Sequence, residues 1–293
     1  EIGSCDWSSD VCSSDLENQE TTLESGQAFN QKDFDFSAFG TELDGTFLEE
    51  ITLPDCTATL HNAAFYNCRK LKKLSVGTAI SGIGSDEFMN DSQLEHLIIR
   101  GKDSEATGLP LILERIAENI TVSFCPNSPS SPESIVFFPE YYEWLDEISP
   151  AHIFSRSIHG EGFRMRRSFE NGILDYRKYD SCLENALTVE SPESLCKIAL
   201  NRLRWPSRLE DIFREKYENV IKKYMGTAFT LAVKDQDFPM LQFICEHFSP
   251  DASALASAID QCIEKEWGEG NAFLIEAKHK SFSKKTFDFD LDF

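Results

Sequence analysis

The residues best suited to hold a ligand are gathered between His152 and Arg167, where the chain reads HIFSRSIHGEGFRMRR. Arg156, Arg164, Arg166 and Arg167 supply permanently charged, planar guanidinium groups, and His152 and His159 add two imidazoles. A guanidinium fork matches carboxylate and phosphate oxygens in two-pronged hydrogen bonds, so the chemistry on offer is capture of an anion or an acidic partner. Ion pairing with the chain's own acidic surface is the competing use of the same arginines. The intervening Gly160-x-Gly162 lacks the further glycines at fixed offsets that a nucleotide-phosphate loop requires. A second candidate is the C-terminal FDFDLDF, in which Phe287, Phe289, Leu291 and Phe293 alternate with aspartates. Period-two alternation fits a strand that recognises a partner's sheet edge or folds back on its own chain.

Catalytic templates are missing. The chain carries no G-x-S-x-G, HExxH, P-loop or kinase motif. Its nine cysteines include no CxxC pair, so structural zinc and dithiol redox chemistry lose their usual signature. Cys182, Cys196, Cys245 and Cys262 sit at apolar helix positions and read as packing residues. Fifty acidic against 28 basic side chains give a net charge of −22. Such a balance opposes a surface that tracks phosphodiester backbone, so nucleic acid is not an expected partner. No run approaches the roughly 20 apolar residues of a membrane-spanning helix. The expectation is a non-catalytic protein with no cofactor and no metal, whose partner is another protein.

What must position these residues is, first, an internal repeat. Aligning the chain on itself gives a period of 23 between Phe47 and Ile99. Leu48, Leu71 and Leu94 fall in register, as do Ile51, Leu74 and Leu97, and Leu53, Val76 and Ile99. Leu60 matches Ile83, Phe65 matches Phe88, and Asn67 matches Asn90. Three apolar side chains at alternating positions mark a short strand with one buried face, and the Phe and Asn columns fall on the return leg. A single unit cannot bury its own apolar face, so consecutive units must stack.

These residues resemble the BspA-type leucine-rich repeat. The first unit carries Leu53-Pro54, Ala64-Phe65, Cys68 and Leu71, and the second Ile83-Gly84, Phe88 and Leu94. The second unit departs from the pattern with Gly77 for the proline, Glu87 for the alanine and Asp91 for the cysteine. The resemblance implies a solenoid that binds other macromolecules and brings no catalytic residues with it. A further strand is expected at Ile120 to Phe124, after a helical excursion at Leu111 to Ala117. Cys68 occupies a column that points into a solenoid core, and a Cys56–Cys68 disulfide is the alternative.

The second organising element is helical. CPNSPSSPE, from Cys125 to Glu133, reads as a linker. Tyr141 to Ile148 then reads as a short aromatic helix, and a helix is expected over Asp180 to Val189. Ser191-Pro192 caps a helix that ends at Trp205-Pro206, and Ser207-x-x-Glu210 reads as a capping box for the next. Two hairpins follow, Thr227 to Lys234 with Phe238 to Phe248, and Ala252 to Lys265 with Ala272 to Lys280. The stretch from Thr227 to Ala232 resembles the opening of an ankyrin repeat without its Pro and His, and the next comparable alanine comes too early for that family's period.

Residues 1–16 are of another kind. The run Asp6 to Leu16 back-translates into a common short-read sequencing adapter in one frame, so residues 1–16 are expected to be an artefact without structure, with the natural coding sequence beginning upstream. The remainder holds seven cysteines, an odd number that fits a reducing, cytoplasmic compartment. The fold class expected is α+β, a short leucine-rich-repeat β-solenoid followed by an all-α array of helical hairpins. Its divisions are a truncated region at 17–46, the repeats at 47–124, a linker at 125–139, helices at 140–281 and the acidic, aromatic tail at 282–293. The function expected is a protein-interaction scaffold. The alternatives are the binding half of an enzyme or effector, or an anion-binding domain using 152–167.

Overall fold

Apolar residues at alternating positions, renewed every 23 residues, fold as stacked parallel strands. The computed structural model describes residues 5–7, 48–148 and 153–285. In chain order these open with β1 (Cys5–Trp7), β2 (Glu50–Thr52), β3 (Thr57–Leu60), β4 (Lys73–Val76), β5 (Gly82–Ile83) and β6 (His96–Ile99). Helix α1 (Leu109–Leu113) interrupts the last turn before β7 (Ile120–Phe124) and β8 (Ser134–Phe138). One sheet has the order β2-β4-β6-β7-β8 and the other β1-β3-β5. Together they make about three turns of β-solenoid over residues 50–124. The expected artefact at residues 1–16 contributes one described strand, β1, which pairs in parallel with β3.

The period is visible in the hydrogen bonds. Ile51 lies beside Leu74 and Leu74 beside Leu97, all in parallel register. Lys72 pairs with Glu49 at 2.8 Å, Lys73 with Glu50 at 3.0 Å, and Asn90 Nδ2 donates to Asn67 Oδ1 at 2.6 Å. Phe65 and Phe88 stack with centroids 5.6 Å apart. Asn67 and Asn90 both have positive φ, 62° and 71°, a left-handed conformation that asparagine tolerates better than most residues. Leu53, Leu60, Phe65, Leu71, Leu74 and Leu97 form the buried interior, each contributing on the order of 1.5–3 kcal/mol by leaving water.

The second unit's three departures have different physical meanings. A Cβ on residue 77 would sit 2.8 Å from the Asp55 backbone, so the close approach of two turns requires Gly77. Glu87 and Asp91 are buried acids in the solenoid, and none of their carboxylate oxygens has a hydrogen-bond partner. Burial raises both carboxyls. Asp91 rises to about 8, helped by the neighbouring Cys68. Cys68 is a buried thiol outside any disulfide, while Cys56 is disulfide-bonded, so the Cys56–Cys68 bridge does not form.

Beyond the solenoid the chain departs from expectation. CPNSPSSPE is the loop joining β7 to β8, and β8 turns back antiparallel beside β7 to extend the same sheet. It is therefore not a boundary between domains. The expected aromatic helix at Tyr141 to Ile148 is strand β9 (Tyr142–Ile148), paired antiparallel with β10 (Ile153–His159). Its apolar residues keep a helical spacing, yet Tyr142, Trp144 and Leu145 stay exposed, so no helical stripe is buried. Cross-strand pairing with a β-branched and aromatic partner strand decides the conformation instead.

Helix α2 (Gly162–Met165), the β-ribbon β11 (Phe169–Glu170) with β12 (Ile173–Leu174), and α3 (Tyr176–Ser181) come next. The chain divides between Tyr179 and Asp180 into two compact units, so the helical array begins about 40 residues later than expected. It comprises α4 (Leu183–Val189), α5 (Pro192–Arg204), α6 (Asp211–Lys223), α7 (Met225–Lys234), α8 (Phe238–Phe248), α9 (Ala252–Glu264) and α10 (Gly268–Lys285).

Ser191 caps α5, its hydroxyl accepting from the Ser194 N–H at 3.1 Å with Pro192 in the first turn. Ser191→Ala is expected to lower the stability of this unit by about 1 kcal/mol in urea melts, and an unchanged midpoint would contradict that role. The capping box expected at Ser207 does not form. Glu210 occupies the cap position of α6 but its side chain does not cap the helix, and the Ser207 carbonyl instead accepts from Arg202 at 3.1 Å.

Candidate functional site

The basic segment is divided by the fold. His152 lies outside the described residues. Arg156, on β10, pairs with Glu143 on β9. His159 ends β10 and stacks on Tyr142, ring centroids 4.8 Å apart. Arg164 points into solvent and pairs with Glu161 at 3.3 Å. Arg166 is buried and acts as a strut, donating to the carbonyls of Pro139 and Glu118 at 2.5 Å each. The Arg167 guanidinium lies 3.5 Å above the Phe163 ring. The tail residues Phe287, Phe289, Leu291 and Phe293 lie outside the described residues.

The two glycines serve the backbone. Gly160 has φ +92°, and a Cβ on Gly162 would lie 1.9 Å from the Pro139 carbonyl oxygen. Neither forms a phosphate-cradling loop.

Three of the predicted arginines nevertheless meet. A cleft of about 280 Å³ is lined by Arg156, Arg166 and Arg167 together with Arg115, which follows α1. Tyr141 and Phe163 form aromatic walls, packed edge to face at 5.3 Å, and Leu113 adds an apolar surface. Glu114 and Glu143 are the acids that reach the cleft. Four guanidinium groups against two carboxylates make this a locally positive hollow in a strongly acidic chain. His159 and Arg164 are not part of it.

Sequence reasoning missed Arg115 because it lies 41 residues before Arg156, in a stretch dominated by the repeat pattern. It also misses the aromatic walls, since the spacing from Tyr141 to Ile148 reads as helical. Regular packing chemistry accounts for the thiols: burial pushes Cys196 and Cys245 up to about 12, which keeps them protonated and poor nucleophiles at neutral pH. Among the described residues, no three of His, Cys, Asp and Glu come together to hold a metal ion. No described helix is long and apolar enough to cross a membrane.

No curated protein and no solved structure matches the chain. Residues 40–107 match the family model of the BspA type leucine rich repeat region, in six copies, and the described part of that stretch has the solenoid form.

Proposed function

We propose that the protein is a non-catalytic interaction scaffold whose solenoid binds another protein. One observation carries this reading beyond the family's general habit. Tyr66 and Met89 occupy the same column of consecutive turns, and both remain about half exposed while their neighbours Phe65 and Phe88 are buried. A solenoid repeats its surface as faithfully as its core, so adjacent turns place like side chains side by side. Here the repeated surface is an aromatic–thioether pair, the kind of adaptable apolar contact that protein interfaces favour.

The test is site-specific photo-crosslinking in cells that make the protein. A photoreactive residue at position 66 or 89 is expected to give one discrete protein adduct, and a Met89→Glu change is expected to suppress the adduct formed from position 66. Equal adducts from those positions and from Lys265 on the helical unit would refute the assignment of this face.

A further inference from the structure

We propose that the arginine cleft is an oxyanion site that takes an acidic segment of a peptide. This rests on the scaffold reading for the macromolecular nature of the ligand, but on the cleft alone for its chemistry.

Three properties point to that class. The first is charge. Among the described residues, Arg115 and Arg167 have no carboxylate within ion-pair distance, although the chain carries 50 acids. Arg156, by contrast, is already satisfied by Glu143. Two exposed guanidinium groups with no carboxylate in ion-pair contact, Arg115 feeling only the more distant charge of Glu87, attract an incoming oxyanion in so acidic a chain.

The second is orientation. The Arg167 guanidinium sits over Phe163, its Cζ 3.5 Å from the ring centroid, and that ring is in turn braced by Tyr141. A cation–π contact this close restrains the guanidinium, and a guanidinium edge offers the paired N–H groups that carboxylate and phosphate oxygens accept. Less side-chain freedom is then lost on binding than a loose surface arginine would lose.

The third is the lining. Tyr141, Phe163 and Leu113 give the cleft apolar walls beside the charges. A bare inorganic ion would leave those walls unused. A peptide that carries an acid next to an aromatic or aliphatic side chain would use both. An Asp or Glu carboxylate and a phosphorylated hydroxyl both supply such an oxyanion, and the chemistry of recognition is shared.

The experiment is fluorescence anisotropy on the full chain. The probes are a labelled peptide alternating aspartate with phenylalanine, the same peptide with one phosphoserine for an aspartate, and inorganic phosphate as competitor. Binding of either peptide is expected, with a loss of about tenfold or more in affinity for Arg115→Glu and for Arg167→Glu. Arg164→Gln, on the same segment but outside the cleft, is expected to bind as the parent does. Both altered cleft arginines are exposed, and unchanged circular-dichroism melts would show that folding is preserved.

Preference for the phosphopeptide would assign the oxyanion to phosphate, and equal binding would assign it to carboxylate; both support the site. Heat of binding for inorganic phosphate in isothermal titration calorimetry, with no peptide binding, would overturn the peptide assignment while leaving the scaffold reading untouched. Dissociation constants weaker than about 1 mM for every probe, or an equal loss with Arg164→Gln, would overturn the site itself.

Discussion

Asp91→Cys is expected to stabilise the solenoid by about 2 kcal/mol at pH 7 and to flatten its dependence on pH. The variant restores at position 91 the thiol that Cys68 supplies one turn earlier, a small apolar group in place of an acid whose oxygens have no partner. The pH effect follows from the proton count. Burial raises the Asp91 carboxyl to about 8 in the folded chain, from 3.8. Between those values the folded state keeps a proton that the unfolded state has released. Stability from this group is therefore complete below about pH 4, falls as pH rises through the window, and is lost above about pH 8.

The direction is opposite to ordinary acid denaturation, in which paired carboxylates lose their stabilising charge as pH falls. Glu87, also raised by burial, adds to the same slope. Urea midpoints at pH 5 and pH 8 would measure it. Subtracting the variant from the parent removes the contribution of every other carboxylate, and identical pH slopes for the two would show that Asp91 is not protonated in the folded chain.

Asp180→Ala is the other large effect, expected to cost the helical unit about 3–5 kcal/mol. Asp180 and Arg202 are fully buried and joined by two hydrogen bonds of 2.8 and 2.9 Å, while the Tyr217 hydroxyl donates to the same carboxylate at 2.8 Å. Deleting the acid strands a guanidinium and a hydroxyl away from water. The total stability of a domain this size is on the order of 5–15 kcal/mol, so the loss would be most of it.

Asp180→Leu combined with Arg202→Met is expected to recover most of that loss, because neither charge then has to be desolvated. Thermal melts of the single and double variants separate the two outcomes. A single variant within 1 kcal/mol of the parent would mean that water reaches the pair. Added salt should matter little, since the pair is buried.

Of these two sites, the solenoid's acids were legible in the sequence. The 23-residue period exposed the columns, and with them Glu87 and Asp91 as departures from the pattern, because a solenoid writes each structural position into the chain at a fixed interval. The stripes of α5 to α9 were legible for a similar reason: one buried face per helix imposes its own period. The β9–β10 hairpin was not, because Tyr141, Tyr142, Trp144, Leu145 and Ile148 happen to keep a helical spacing while their conformation is set by a strand ten residues later. The Pro/Ser stretch misled for a related reason. Turn-forming residues announce a break in regular structure but not whether the chain leaves a sheet or returns to it.

The cleft was half legible. Composition drew attention to 152–167, yet only folding could show that Arg166 is tied to carbonyls at the cleft wall, that Arg164 lies outside it, and that Arg115 joins it. The buried Asp180–Arg202 pair gave no signal either, since 22 residues separate two ordinary charges.

The constant separation of 23 in the hydrogen bonds between turns has a bearing on inheritance. Lys72 to Glu49, Ser85 to Asn62 and Asn90 to Asn67 all span the same interval. Insertion or loss of one whole unit leaves every such bond with an equivalent partner, whereas a shift of one residue misaligns them all and turns the strand's apolar set to the wrong face. Unequal recombination between the copies can thus vary copy number in whole steps, lengthening or shortening the recognition surface without redesigning a single contact. The Glu87 and Asp91 unit is the exception. Duplicating it would bury two more unpartnered acids, so the neighbouring unit, with Ala64 and Cys68 in those columns, is the template that can be multiplied at least cost.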